Sequence, residues 1–220
     1  MGFKKTLLTT AAVLFLASTA QAGDNLPVYI SIFGGASFLN DISGYGSTGT
    51  PLPQYITRQN LGYVLGGSVG VEVTKGIRAE LEVSHSDAGI NALNNVNLGN
   101  GFKPRSGDWS STYVMGNLWY DFHNNSNFTP YLGGGVGVAF PHETLSSPVM
   151  PPSSSETPTA FAFQLGVGAK MKVSENLDLD IGYRFRDVPN YSLYFASCPC
   201  SYTGFSMVSH SVQAGLTLHF

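Results

Sequence analysis

In SVQAGLTLHF, residues 211–220, apolar and polar residues alternate one for one up to a final phenylalanine. Side chains along a β-strand point to opposite faces in turn. Val212, Ala214, Leu216, Leu218 and Phe220 therefore share one face, and Ser211, Gln213, Gly215, Thr217 and His219 share the other. Chain ends fray unless something ties them down, so a strand that runs to the last residue calls for a fixed partner.

The same period recurs in eight segments: 28–38 (VYISIFGGASF), 63–73 (YVLGGSVGVEV), 77–84 (IRAELEVS), 112–122 (TYVMGNLWYDF), 129–140 (TPYLGGGVGVAF), 160–173 (AFAFQLGVGAKMKV), 177–187 (LDLDIGYRFRD) and 207–220. Helical periodicity competes nowhere, and each of the 26 glycines would weaken a helix by about 1 kcal/mol. Short connections (74–76, 123–128, 174–176) alternate with long ones (39–62, 85–111, 141–159, 188–206). Gly76 and Asn176 stand third in their turns, the left-handed position of a three-residue hairpin loop. Short turns at one end and long loops at the other are the arrangement of outer-membrane barrels.

Residues 1–22 have the parts of a secretory signal peptide: basic Lys4 and Lys5, an apolar run at 7–17, and an Ala20-Gln21-Ala22 cleavage site. That run is shorter than the about 20 residues a membrane helix needs. Cleavage would leave one domain, 23–220, with 9 basic and 14 acidic residues. Such a balance opposes nucleic-acid binding, which wants a basic face.

The two faces of the strands decide what surrounds them. In a soluble barrel the apolar face would line a ligand cavity. Here the polar face is charged in some strands and glycine-rich in others, which suits the confined inside of an eight-stranded barrel, so the apolar face should meet lipid. In lipid every backbone polar group must be paired, so no sheet edge can stay open. The last strand must pair with the first. The expected fold is all-β: an eight-stranded antiparallel up-and-down transmembrane barrel in the outer membrane of a Gram-negative cell.

Turns centred on Lys75 and Glu175 set Glu72 opposite Arg78, Lys172 opposite Asp178, and Lys170 opposite Asp180. Each is a favourable cross-strand arrangement. Glu80, Glu82, Arg184 and Arg186 have no partner in their own hairpins and are expected to meet across the lumen. With Asp121, five cations face six anions. Buried charges are costly unless paired, so this near balance implies a cross-linked interior rather than a pore lined by one sign. No large constitutive channel is expected; a narrow porin is the alternative.

Catalytic and metal sites find little support. His85-Ser86-Asp87 are consecutive and cannot converge as a relay, and His210 and Ser211 point to opposite faces. A barrel enzyme is the third reading, and no cofactor is implied. Cys198 and Cys200 flank a proline; bonded to each other they would form a strained ring, and a metal would need further ligands. An unusual local disulfide and an intermolecular cross-link both stay open in an oxidising compartment. The stretches SGYGSTGTP (43–51), NALNNVNLGNG (91–101) and SSPVMPPSSSETP (146–158) are expected to be extended or mobile loops. Loops on a rigid scaffold are where contact residues concentrate, but no residue pattern names an extracellular ligand.

TPYLGGGVGVAF (129–140), FQLGVGAKMKVSENLDLDIGYRFRD (163–187) and HSVQAGLTLHF (210–220) resemble the eight-stranded outer-membrane β-barrel family. That family includes OmpA-type transmembrane domains and bacterial surface antigens. The resemblance spans nearly all of 23–220 and is strongest from Thr112 onward. It implies a structural or surface-exposed antigen-like barrel, with adhesion or host contact through its four long loops. Gln213, Gly215, Leu218 and Phe220 also resemble the signal that the outer-membrane assembly machinery reads. This implies that machinery, periplasmic chaperones and outer-membrane lipid as partners.

Overall fold

A computed structural model describes residues 27–47, 51–95, 100–102, 106–147, 150–195 and 200–220. The signal-peptide segment and Cys198 lie outside the described residues, and of Cys200 only the backbone is described. The strands are β1 (Val28–Leu39), β2 (Ile42–Ser47), β3 (Pro51–Gln59), β4 (Gly62–Thr74), β5 (Ile77–Asn95), β6 (Asn100–Phe102), β7 (Ser106–Asp121), β8 (Phe128–Ser147), β9 (Met150–Ser154), β10 (Ala160–Lys172), β11 (Leu177–Phe195) and β12 (Cys200–His219).

Eight of them close a ring of antiparallel neighbours in the order β1, β4, β5, β7, β8, β10, β11, β12. The closing seam pairs β1 with β12 from Tyr29 opposite His219 to Leu39 opposite Ser209. Phe220 adds a last bond, its N–H donating to the Val28 carbonyl at 3.0 Å. The terminal strand is therefore tied along its length, as closure in lipid requires.

The outward face is a continuous apolar belt that includes Ile32, Leu65, Leu118, Val136, Leu165, Ile181 and Val212. On β8 it runs from Leu132 to Phe140, and on β5 from Ile77 to Val83. Above these positions the outward residues turn polar at His85, Thr112, His142 and His210. That line marks the outer edge of the membrane-spanning band, whose strands need about 9–11 residues.

The turns differ in detail from expectation. Gly76 has the left-handed φ of 85°, but Asn176 does not; the positive-φ residue other than glycine among the described residues is Asn190, at 50°. Asn176 acts through its side chain instead, Nδ2 donating to the His219 carbonyl at 3.1 Å.

A larger correction concerns the long loops, since much of each is strand. β1 breaks at Asn40 and resumes as β2, and β3 leads into β4 across Asn60, so the first connection is a hairpin that prolongs the barrel wall. β2 pairs with β12 and β3 with β5, filling the seam above the membrane edge. Residues 91–95 continue β5, and residues 150–154 pair back onto β8 as β9. Polar composition suggested coil, yet a ladder needs only backbone partners, and the neighbouring walls supply them.

Candidate functional site

The enclosed lumen is the candidate site, and it has two layers. The layer at the short-turn end is polar and knitted across the barrel. Arg78 donates from Nε and Nη2 to Asp121 at 2.9–3.1 Å, and from Nη1 to the Tyr29 hydroxyl at 3.1 Å. Asp121 also holds the Lys170 ammonium. The Tyr29 hydroxyl donates to Glu80 Oε2 at 3.1 Å, while Glu80 Oε1 accepts from Asn117 and Trp119 at 3.2 and 3.3 Å.

A second centre forms around Glu82, which is 2% exposed. It accepts from the Arg186 guanidinium, Ser84 (2.8 Å), Asn117 (3.0 Å) and Gln164 (2.9 Å). Arg186 Nε donates in turn to Gln164 Oε1 at 2.9 Å. A third centre sets the Arg184 guanidinium 4.3 Å from the Trp119 ring centroid and bonds it to the Tyr131 hydroxyl, which donates to Asp180. Buried charges are tolerated when every lone pair and proton has a partner, and these carboxylates approach that condition.

Small residues make the room. Gly168 and Gly182 face each other across β10 and β11, and a Cβ on either would come within 2.7 Å of the Tyr131 hydroxyl. The space left between Arg78, Glu80, Glu82, Trp119, Tyr131 and Arg184 is a cavity of about 30 Å³, room for little more than a water or two.

The expected opposite-charge positions are register partners: Glu72 with Arg78, Lys170 with Asp180, and Lys172 with Asp178. The side chains of Glu72, Arg78, Lys170, Asp178 and Asp180 bond elsewhere. Arg78 and Lys170 both reach Asp121, Asp180 takes Tyr131, and Asp178 takes His219 at 3.0 Å. Glu72 accepts from the Gly76 N–H at 3.3 Å. A carboxylate that gathers two cations and shields both outcompetes a single half-exposed neighbour, so directly opposite Cα atoms do not decide the bonding. Across the lumen, Glu82 and Arg186 meet. Glu80 and Arg184 instead meet aromatic groups. Tyr29, Asn117, Trp119, Tyr131 and Gln164 were not singled out from sequence, although each occupies an inward position of its strand's alternation.

The outer layer is apolar. Ile42, Ile90, Trp109, Tyr113, Met115, Val188, Tyr191, Leu193, Phe205 and Met207 form one buried cluster that closes the barrel at the long-hairpin end. A bulge in β11 builds part of it. Val188 faces inward, Pro189 and Asn190 form the irregularity, and Tyr191 and Leu193 then face inward at the opposite parity. Arg186 borders the two layers, 4.8 Å from the Tyr113 ring centroid.

Of the assembly-signal residues, Gln213 is buried and donates to Ser211 Oγ at 2.8 Å. Gly215 faces inward against Phe33, and Leu218 and Phe220 are exposed on the apolar belt. His85 and Asp87 point outward while Ser86 is buried inside, so that triplet is split between two faces.

A family model described as outer membrane protein beta-barrel domain matches residues 8–220. The outer membrane protein PagN of Salmonella typhimurium is 36% identical over 89 residues, 38% of this chain and 36% of PagN, so the match spans about a third of that relative's length. OprG from Pseudomonas aeruginosa superposes with a TM-score of 0.60 at 16% identity, covering 90% of this chain and 98% of OprG. Neisserial surface protein A gives 0.53 at 17% identity, covering 88% and 97%. At such identities the structural likeness speaks to the fold.

Proposed function

Since the chain belongs to the outer membrane protein β-barrel family, we propose that it is a non-catalytic surface barrel that acts through its outer rim while its lumen stays closed to bulk flow. The observation that carries this reading is the filled interior, cross-linked by Asp121, Glu80 and Glu82 below and packed with aromatic and aliphatic side chains above. A selective pore is lined by an excess of one sign around an open path; here Arg78, Lys170, Arg184 and Arg186 are each engaged by a carboxylate or a tyrosine. The walls beyond the membrane edge are paired strands, which give loop tips a rigid base for adhesion or other contact with a partner outside the cell.

Three histidines near the outer edge each engage a threonine or tyrosine hydroxyl: His85 with Thr112 at 3.0 Å, His142 with Thr157 at 3.1 Å, and His210 with Tyr183. These contacts favour an interfacial role over a nucleophile–base pair, since His85 and His210 bond hydroxyls on the outward wall, away from the enclosed lumen. The N-terminal signal and the assembly partners are part of the same proposal, with export followed by insertion through the machinery that reads the last strand.

The deciding experiment shortens the hairpins beyond the membrane edge while keeping the ring. Lost surface binding with unchanged low conductance in planar bilayers supports the proposal. Stepwise conductance of large-porin size in the native chain would overturn it.

A further inference from the structure

Glu143 is out of keeping with its surroundings. It lies on β8 three residues past Phe140, beyond the membrane edge, points inward and is 5% exposed. Across β7 its register partner is Trp109. Trp109 meets Phe205 edge-on with centroids 5.9 Å apart, and Phe205 stacks on Tyr191 at 5.7 Å. The carboxyl therefore sits in the aromatic part of the outer layer. Among the described residues no basic side chain bonds it.

Its neighbours are also short of partners. Trp109 Nε1, Ser111 Oγ and the Tyr191 hydroxyl are buried with no hydrogen-bond partner among the described residues. Such groups are rare in native interiors and each asks for an explanation. Ser111 and Trp109 share the inward face of β7 beside Glu143, and Tyr191 feels the Glu143 carboxyl electrostatically. Several weakly satisfied polar groups thus cluster in the one region where the barrel is closed by packing alone, without the ion pairs of the inner layer.

We propose that Glu143 is a proton-operated latch on the outer end of the barrel: with the carboxyl neutral the aromatic layer stays shut, and with it ionised the layer loosens and admits water.

The groups that face the latch from each packed element are few. β7 contributes Trp109, Ser111 and Tyr113, β11 contributes Tyr191, and β12 contributes Phe205. Ser155 touches the backbone, its Oγ accepting from the Glu143 N–H at 2.9 Å. His142 lies on the opposite face of β8, with Nδ1 on Thr157. Arg186, which borders the layer, is held by Glu82 and Gln164. The Trp109, Ser111 and Tyr191 donors are not bonded to the carboxyl, and burial pushes it up to about 8. Once ionised it must find water or a cation, because a bare carboxylate in an apolar site is costly. The inner layer, held by its own ion pairs, need not move.

The test is fluorine NMR of the full barrel in lipid nanodiscs, with 5-fluorotryptophan at both of the chain's tryptophans. Trp109→Phe identifies the outer resonance by its loss. The Trp109 signal is expected to show no H2O/D2O solvent shift at pH 6 and to acquire one as pH rises past 8, while Trp119 stays unchanged. Glu143→Gln should keep Trp109 dry up to pH 9.5. If that variant does not insert, judged by heat-modifiable gel mobility, Glu143→Leu takes its place with the same expectation. A Trp109 signal that is unmoved up to pH 9.5 in the native chain, or that moves equally in the Glu143 variant, overturns the latch.

Discussion

The Tyr131 hydroxyl donates to Asp180 at 3.0 Å and, on its other side, accepts from Arg184 Nη2 at 3.1 Å. Tyr29 does the same between Arg78 and Glu80. Each tyrosine is thus a neutral spacer that lets a cation and an anion share one hydroxyl without touching. Tyr131→Phe leaves both ends short of a partner while keeping the ring, and should lower unfolding stability by about 1–3 kcal/mol. Urea titration of the barrel in lipid vesicles reads this directly, and an unchanged midpoint would show that the hydroxyl is dispensable.

Glu82 and Arg186 join β5 to β11 across the lumen, both almost fully buried. Arg186→Met strands a buried carboxylate and should cost about 3–5 kcal/mol, whereas the double change with Glu82→Leu should recover most of that loss. The contrast between single and double variants separates a desolvation penalty from an attraction. Equal losses in both would mean that volume, not charge, fills this place.

Stability should depend on pH through Glu143. Its folded-state value, about 8, lies above the 4.5 of an ordinary glutamate. Between these values the unfolded chain gives up a proton that the folded chain keeps, so folding is progressively disfavoured as pH rises. The contribution is fully present below about pH 4.5 and is lost as pH climbs through about 8, amounting to a few kcal/mol at ~1.4 kcal/mol per unit. Urea midpoints taken from pH 4 to 9 should fall across this window in the native chain, and the slope should flatten in Glu143→Gln.

Phe220 is the last rung of the closing seam and lies exposed on the apolar belt. If the assembly machinery reads the final strand, Phe220→Ala should sharply reduce the amount of barrel in the outer membrane while leaving the refolded protein's urea midpoint within about 0.5 kcal/mol, as for a surface change. Immunoblots of membrane fractions check the first quantity. Normal abundance would leave Phe220 a role in closure only.

Alternation made the ring legible because one face of each strand is apolar throughout the membrane, and period two survives wherever that holds. Arg78, Glu82 and Arg186 were readable as inward charges on this basis. The bonds between them were not, because register fixes Cα positions while long side chains choose among several carboxylates in a narrow lumen. Above the membrane edge both faces change character. The bulge at Pro189 and Asn190 shifts parity, so Tyr191 and Leu193 look outward by counting yet pack inside. Asn-rich and Ser-rich hairpins carry no apolar face to reveal them, and their strands are set by neighbouring ladders.

The hairpin of β2 and β3, wedged between β12 and β5, changes what a visiting molecule would meet. From His210 to Cys200 the wall climbs about ten residues, on the order of 30 Å of strand before tilt is allowed for. The described part of that wall is therefore paired strand well beyond the apolar belt. If a partner docks on this paired wall, as proposed, it would order little chain on arrival and be spared the entropic penalty that weakens contacts made by floppy segments.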